Sequence, residues 1–186
     1  MFQRTVSSCF RSLLAGAVVM IAAPAFAQIT GSIDTGPSGL PLPRFVSLKA
    51  KKVNMRIGPG SQYAVAYRYV RSGVPMEIIQ EFDNWRRVRD ADGTTGWIHG
   101  SLLSGNRTAV TSPWRQVMGS KDTVTLFSEP AGQARIIAHM EPGVVGEIRS
   151  CDGAWCEFSV DHQGRAMTGF VNQAELWGAY PDEIIR

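Results

Sequence analysis

The chain repeats itself, and the repeat limits what it can fold into. Val53, Gly73, Trp85, Gly96 and Leu103 find counterparts in Val124, Gly143, Trp155, Gly169 and Leu176, at offsets of 71, 70, 70, 73 and 73 residues. The small drift falls at turns, where insertions are tolerated. Aligned this way, Gly96-Trp97-Ile98 faces Gly169-Phe170-Val171, and Trp85-Arg86-Arg87-Val88 faces Trp155-Cys156-Glu157-Phe158. An internal duplication of about 60 residues per copy calls for a small fold used twice. A unit of that size buries little apolar surface alone, so the two copies are expected to touch.

The texture of each copy is β. Residues 74–82, 85–89 and 94–99 are rich in β-formers and are separated by Asp83-Asn84 and by Asp90-Ala91-Asp92-Gly93, both turn signals. No stretch of a dozen residues carries a helical stripe. The expected architecture is all-β: two tandem small barrels of five or six strands each, the first over residues 45–106 and the second over 117–180, joined near 106–116. Residues 28–44 precede them as a Pro/Gly-rich leader, expected to be extended and flexible.

The first 27 residues read as a cleaved signal peptide. Arg4 and Arg11 lead into an uncharged apolar run from Leu13 to Ala23, and Ala25-Phe26-Ala27 has the small-x-small pattern of a cleavage site. The apolar run is about half the roughly 20 residues that a spanning helix needs, so no stable membrane anchor is expected. Cys9 lies before the run, not at its end where a lipidated cysteine would sit. The chain reads as exported and periplasmic. In that compartment the remaining pair, Cys151 and Cys156, reads as a disulfide worth roughly 2 kcal/mol on the chain-entropy estimate.

Charge is divided along the chain. Residues 44–115 hold 12 Lys/Arg against 5 Asp/Glu, and residues 117–186 hold 5 against 10. Either the halves attract each other, or the basic half meets an anionic partner. Nucleic acid is a poor partner for an exported protein.

These residues also carry a family pattern. Val53-Asn54-Met55-Arg56-Ile57-Gly58-Pro59-Gly60-Ser61, Gly73, Trp85-Arg86-Arg87-Val88, Gly96-Trp97-Ile98 and Leu102-Leu103 together resemble the bacterial SH3-like domain, whose members read as a Leu-Asn-Val-Arg-x-Gly-Pro start and a Gly-Trp-Val finish. The second half resembles a diverged copy: Val124-Thr125-Leu126-Phe127 lacks the Asn and Arg, and Phe170 stands where the Trp would be. The resemblance implies two tandem SH3-like β-barrels, usually a binding module for the cell wall or for peptides without chemistry of its own. Cell-wall binders of the family recognise peptidoglycan stem or bridge peptides.

Alternation along the strands locates the binding residues. If Val88 and Ile98 are core, Trp85 and Trp97 share the other face. Beside Arg56 and Arg86, with Arg87, they would offer rings for area and guanidinium groups for carboxylates. Asn54 and Tyr63 complete the candidate set, Tyr63 from the long variable loop. The same residues have structural alternatives: the indoles as packing under a loop or against the second barrel, Asn54 as a turn ligand, Arg56 as a strand brace, Tyr63 as a core plug. The leader segment Leu40-Pro41-Leu42-Pro43-Arg44 resembles a proline-rich ligand able to dock on a barrel.

The expected partner is thus peptidoglycan or an envelope protein, with an adaptor or structural role as the alternative. Enzyme motifs are not found in the sequence. His99, His139 and His162 are isolated, and there is no H-E-x-x-H, no G-x-S-x-G and no phosphate loop after Gly58-Pro59-Gly60. No metal, no cofactor and no catalysis are expected.

Overall fold

The computed structural model describes residues 34–119 and 122–186. The predicted signal peptide and its cleavage site lie outside the described residues. No described helix is long and apolar enough to cross a membrane.

The strands run β1 (Asp34–Thr35), β2 (Pro41–Leu42), β3 (Arg44–Leu48), β4 (Val53–Arg56), β5 (Val65–Tyr69), β6 (Pro75–Phe82), β7 (Trp85–Arg89), β8 (Thr95–His99), β9 (Leu103–Ser104) and β10 (Thr108–Thr111). After the one-turn helix α1 (Pro113–Val117) come β11 (Val124–Phe127), β12 (Ile136–Met140), β13 (Val145–Asp152), β14 (Trp155–His162), β15 (Arg165–Asn172), β16 (Leu176–Trp177) and β17 (Ile184–Ile185).

Two antiparallel sheets have the same strand order. The first is β5-β4-β8-β7-β6-β3-β9 and the second β12-β11-β15-β14-β13-β10-β16, with β17 added against β13. Matching details follow: a register shift after Met55 and after Leu126, another after Ile78 and after Ile148, and a single 3-10 turn before the last strand of each. The duplication in the sequence is therefore a duplication of folds, two tandem SH3-like β domains.

Alternation explains each core. In β4, Val53 and Met55 are buried while Asn54 and Arg56 are half-exposed; β11 repeats this with Val124 and Leu126 inside. Met55, Met76, Ile78, Val88 and Ile98 fill the first core. Leu126, Ile148, Phe158, Val171 and Leu176 fill the second. Gly96 and Gly169 hold matching places because each strand passes close over its neighbour. A Cβ on Gly96 would lie 2.9 Å from the Arg56 carbonyl oxygen, and one on Gly169 would collide with the Phe127 carbonyl oxygen. Any side chain would push β4 from β8, or β11 from β15.

Two expectations about the connections need correction. The joining segment is not all linker: Thr108–Thr111 is the first strand of the second sheet, pairing with β13 and β16. Its counterpart in the first sheet is β3, which the hydrogen bonds of Leu48 and Thr111 to the Val74 and Val144 carbonyls make clear. Nor is the leader patternless after residue 33. β1 and β2 pair as a small hairpin, and Ser38 binds Glu81 through both its amide and its hydroxyl, each at 2.8 Å. Leu42 packs against the first core. A polar turn that satisfies a buried carboxylate has reason to fold back on the barrel.

The two sheets meet through aromatic rings. Phe45 of β3 stands edge-on to Trp177 at 5.0 Å and against Tyr180 at 4.7 Å. The Tyr180 hydroxyl donates to Glu77 at 3.1 Å, and Arg107 lies over the Phe45 ring at 5.8 Å. Burial first, then the Glu77 carboxylate, pushes the Tyr180 phenol well above its ordinary range, so it remains a donor.

Candidate functional site

Strand register builds a row of outward-facing side chains across five strands of the first sheet. Arg56 pairs with Val65 on one side and Trp97 on the other, Trp97 pairs with Arg87, and Arg87 with Gln80. At about 4.8 Å per strand the row is roughly 19 Å long. Beside it, Trp85 pairs with His99 and with Phe82. The His99 and Trp85 rings meet edge-to-face at 5.4 Å. Both indoles are half-exposed, Arg87 is exposed, and Phe82 is 58% exposed. Polar groups pointing outward from strands whose inward residues Met55, Val88 and Ile98 are fully buried are available for contact.

The remaining candidates take distinct places. Asn54 faces outward one step along β4 and accepts from Arg68 Nε at 3.0 Å, a cross-strand pair and not a turn ligand. Arg56 donates to the Tyr63 carbonyl at 2.6 Å, so it braces the loop from Ile57 to Ala64 while standing in the row. Tyr63 packs its ring on Gly58, where a Cβ would lie 2.5 Å from the ring, and remains 41% exposed. Its neighbours Ile57, Val65 and Tyr67 are exposed too, which makes this end of the sheet, at the edge strand β5, the apolar end of the surface. Tyr69 turns inward instead and donates to Asp90 at 2.7 Å. Burial, then Asp90, raises that phenol far above its ordinary range.

Arg86 does not join the indoles. It pairs across from Ile98, which is core, so its side chain leaves by the opposite face. There its Nε meets Glu81 at 3.1 Å, and Arg44 Nη2 meets the same oxygen at 2.6 Å. The Glu81 side chain is 1% exposed. Burial alone would raise its carboxyl, but the hydrogen bonds from Arg44 and Ser38 outweigh that and hold it down at about 2. The sequence reading missed Arg44, Glu81 and the involvement of His99. A signal was present: with Asp83-Asn84 as the turn, Glu81 and Arg86 fall opposite each other.

The second sheet repeats the row with other chemistry: Ile136, Phe127, Phe170, Glu157 and Ser150. Trp155, the counterpart of Trp85, stacks edge-on with Phe127 at 5.7 Å. The Cys151–Cys156 disulfide expected from the sequence is formed, with a Cα separation of 4.1 Å. Among the described residues, no three His, Cys, Asp or Glu are placed to hold a metal ion.

Comparison with curated proteins finds no match. Among solved structures, NlpC2 from Trichomonas vaginalis is similar at 13% identity over 73% of this chain and 48% of its own, with a TM-score of 0.31. NlpC1 from the same organism is similar at 15% identity over 72% and 45%, with a TM-score of 0.29. The chain thus spans about half the length of these structures. The bacterial SH3 domain matches twice, at residues 49–105 and 120–178, more than half of the chain and one match for each sheet. The protein belongs to the bacterial SH3 domain family.

Proposed function

We propose that this protein is a non-enzymatic exported binding module of the cell envelope, associating with peptidoglycan or its peptides through the outer face of the first barrel and working in the periplasm. The observation that carries this reading is the row Val65, Arg56, Trp97, Arg87, Gln80. Rigid indoles supply contact area at low entropic cost, and alternating guanidinium groups pair with the carboxylates of a peptide. Trp85, Asn54 and Tyr63 extend the surface on either side. A shallow, charged face of this kind fits a repeating ligand bound weakly many times over.

The test is co-sedimentation with purified peptidoglycan sacculi at physiological salt, comparing the wild-type protein with a Trp97→Ala, Arg56→Ala double variant shown by circular dichroism to be folded. Wild type is expected in the pellet and the variant in the supernatant. Wild type remaining in solution would remove the wall reading. A second reading, an envelope protein as partner, is favoured by the edge strand β5 with exposed Val65 and Tyr67, since unpaired sheet edges add strands from other chains.

A further inference from the structure

The far end of the first barrel holds a pocket of about 490 Å³ that touches the outer face at His99. Arg44, Arg86, His99 and Ser101 supply its polar wall, over an apolar floor that includes Phe45 and Ile78. Arg44 and Arg86 share one buried carboxylate, Glu81, so two positive charges meet one negative charge and a unit of positive charge is left over. Each guanidinium side chain is 18% exposed, so this excess is poorly screened by water.

Their hydrogen bonds leave donors to spare. Arg86 donates from Nη1 to the Asp83 and Trp85 carbonyls and brings Nε into an ion pair with Glu81, while Arg44 donates from Nη1 to the Pro41 carbonyl and from Nη2 to Glu81. Among the described residues neither Arg86 Nη2 nor Arg44 Nε has an acceptor, and neither is sealed away from solvent. Arg86 Nη2 lies about 4.0 Å from where a Gly100 Cβ would be, and Gly100 lines the pocket. The absence of a side chain there keeps the guanidinium reachable.

The second barrel shows that the fold does not require this charge. The positions of Glu81 and Arg86 are taken there by Cys151 and Cys156, opposite each other in the same register. The arginine equivalent to Arg44 is Arg107, which is neutralised by a two-point pair with Glu183 at 2.8 and 2.9 Å. At these equivalent positions the first barrel keeps an unbalanced cation and the second does not.

We propose that this pocket is a binding site for a small organic carboxylate on a hydrocarbon stem, with Arg44 and Arg86 as its anion clamp. One excess positive charge matches one carboxylate, and the apolar floor favours a carboxylate on a hydrocarbon stem over a bare, doubly charged phosphate. The proposal stands independently of the wall reading.

The experiment follows arginine Nε–H and backbone resonances of the disulfide-bonded protein by NMR. N-acetyl-alanyl-alanine, its C-terminal amide and inorganic phosphate are titrated separately. The acid is expected to shift the Arg44 and Arg86 Nε–H and Gly100 signals saturably, with the amide at least tenfold weaker and phosphate weaker than the acid. An Arg44→Gln variant, which cancels the excess charge but keeps the Glu81–Arg86 pair, is expected to lose at least tenfold in affinity. The wild-type titrations decide the matter even if that variant is unfolded. Equal binding of acid and amide, shifts located elsewhere, or tighter binding of phosphate would overturn the proposal. Acid binding without sacculus sedimentation would leave the pocket standing and remove the wall; sedimentation with no preference for acid over amide would do the reverse.

Discussion

The two barrels share a topology and differ in how each closes the end of one equivalent hairpin, β6–β7 in the first and β13–β14 in the second. In the second, β13 and β14 are tied by a covalent bond, and the tail strand β17 covers the spot, with Ile185 pairing against Cys151. In the first, β6 and β7 are tied by an ion pair, and the covering piece comes from the other direction, the β1–β2 hairpin with Ser38 on Glu81. One fold thus tolerates a disulfide or a buried carboxylate at one pair of positions, provided the carboxylate itself is paired, as Glu81 is with Arg44, Arg86 and Ser38. The difference is one of chemistry: a disulfide is neutral and inert to pH, whereas a shared carboxylate carries charge and depends on it.

The largest expected effect comes from removing that carboxylate. Glu81→Gln leaves Arg44 and Arg86, about four-fifths buried, with no counter-charge. Breaking a buried ion pair from one side costs about 3–5 kcal/mol, to be read as a shift in the urea midpoint at pH 7. Acid should mimic the change. Glu81 is held at about 2 in the fold against an ordinary 4.5, so its stabilisation is complete above pH 4.5 and is lost as pH falls towards 2. Acid titration of the wild type should therefore open the first barrel over that window, and in Glu81→Gln this part of the pH dependence should vanish. An unchanged acid profile in the variant would show that Glu81 is not the group responsible.

The matching cut in the second barrel should be milder. Replacing Cys151 and Cys156 by Ser removes a short loop constraint worth about 2 kcal/mol on the chain-entropy estimate. Both positions are buried, Cys156 completely, so part of the measured loss will come from placing hydroxyls in an apolar core. A loss larger than that of Glu81→Gln would reverse the comparison and make the covalent tie the stronger of the two.

Much of this was legible in the sequence because the duplication acts as its own alignment. Trp85 with Trp155 and Gly96 with Gly169 mark equivalent strands, and Val53 and Met55 alternate as a half-buried strand must. The outward placing of Trp85 and Trp97 follows from the same period of two. What alternation alone does not give is the depth of the sheet's end. Alternation does put Arg86 on the face opposite Trp85 and Arg87; that this end of the face is deep enough to hold Glu81 at 1% exposure is what it does not show. Arg44 read as the end of a leader because Pro41 and Pro43 break the run before it, and only pairing with β6 makes it part of a strand. Thr108–Thr111 read as linker because four residues are too few to show a pattern, and only pairing with β13 and β16 makes them a strand. The leader hairpin was hidden for a related reason: its order comes from Ser38 reaching a carboxylate 43 residues away, a contact no local pattern encodes.

The smallest effect on stability should come with the largest effect on binding. Arg56→Phe and Trp97→Phe would give the first barrel the row that the second has in Phe127 and Phe170. The backbone already accepts those side chains at the equivalent register, and the positions face solvent, so the combined change should lie within about 0.5 kcal/mol. A modest extra loss is expected if the Arg56 bond to the Tyr63 carbonyl holds the loop, and it would appear as faster amide exchange between residues 57 and 64. Sacculus sedimentation should nevertheless fall to the level of the alanine double variant, because the Phe pair keeps aromatic area and lacks the guanidinium. Retained sedimentation would mean that area, not charge, carries the contact, and Trp85 and Tyr63 would then be the residues to remove next. Since the second barrel has this same phenylalanine pair, that result would also mean that both barrels bind, and that the duplication doubled a site instead of freeing one copy from it.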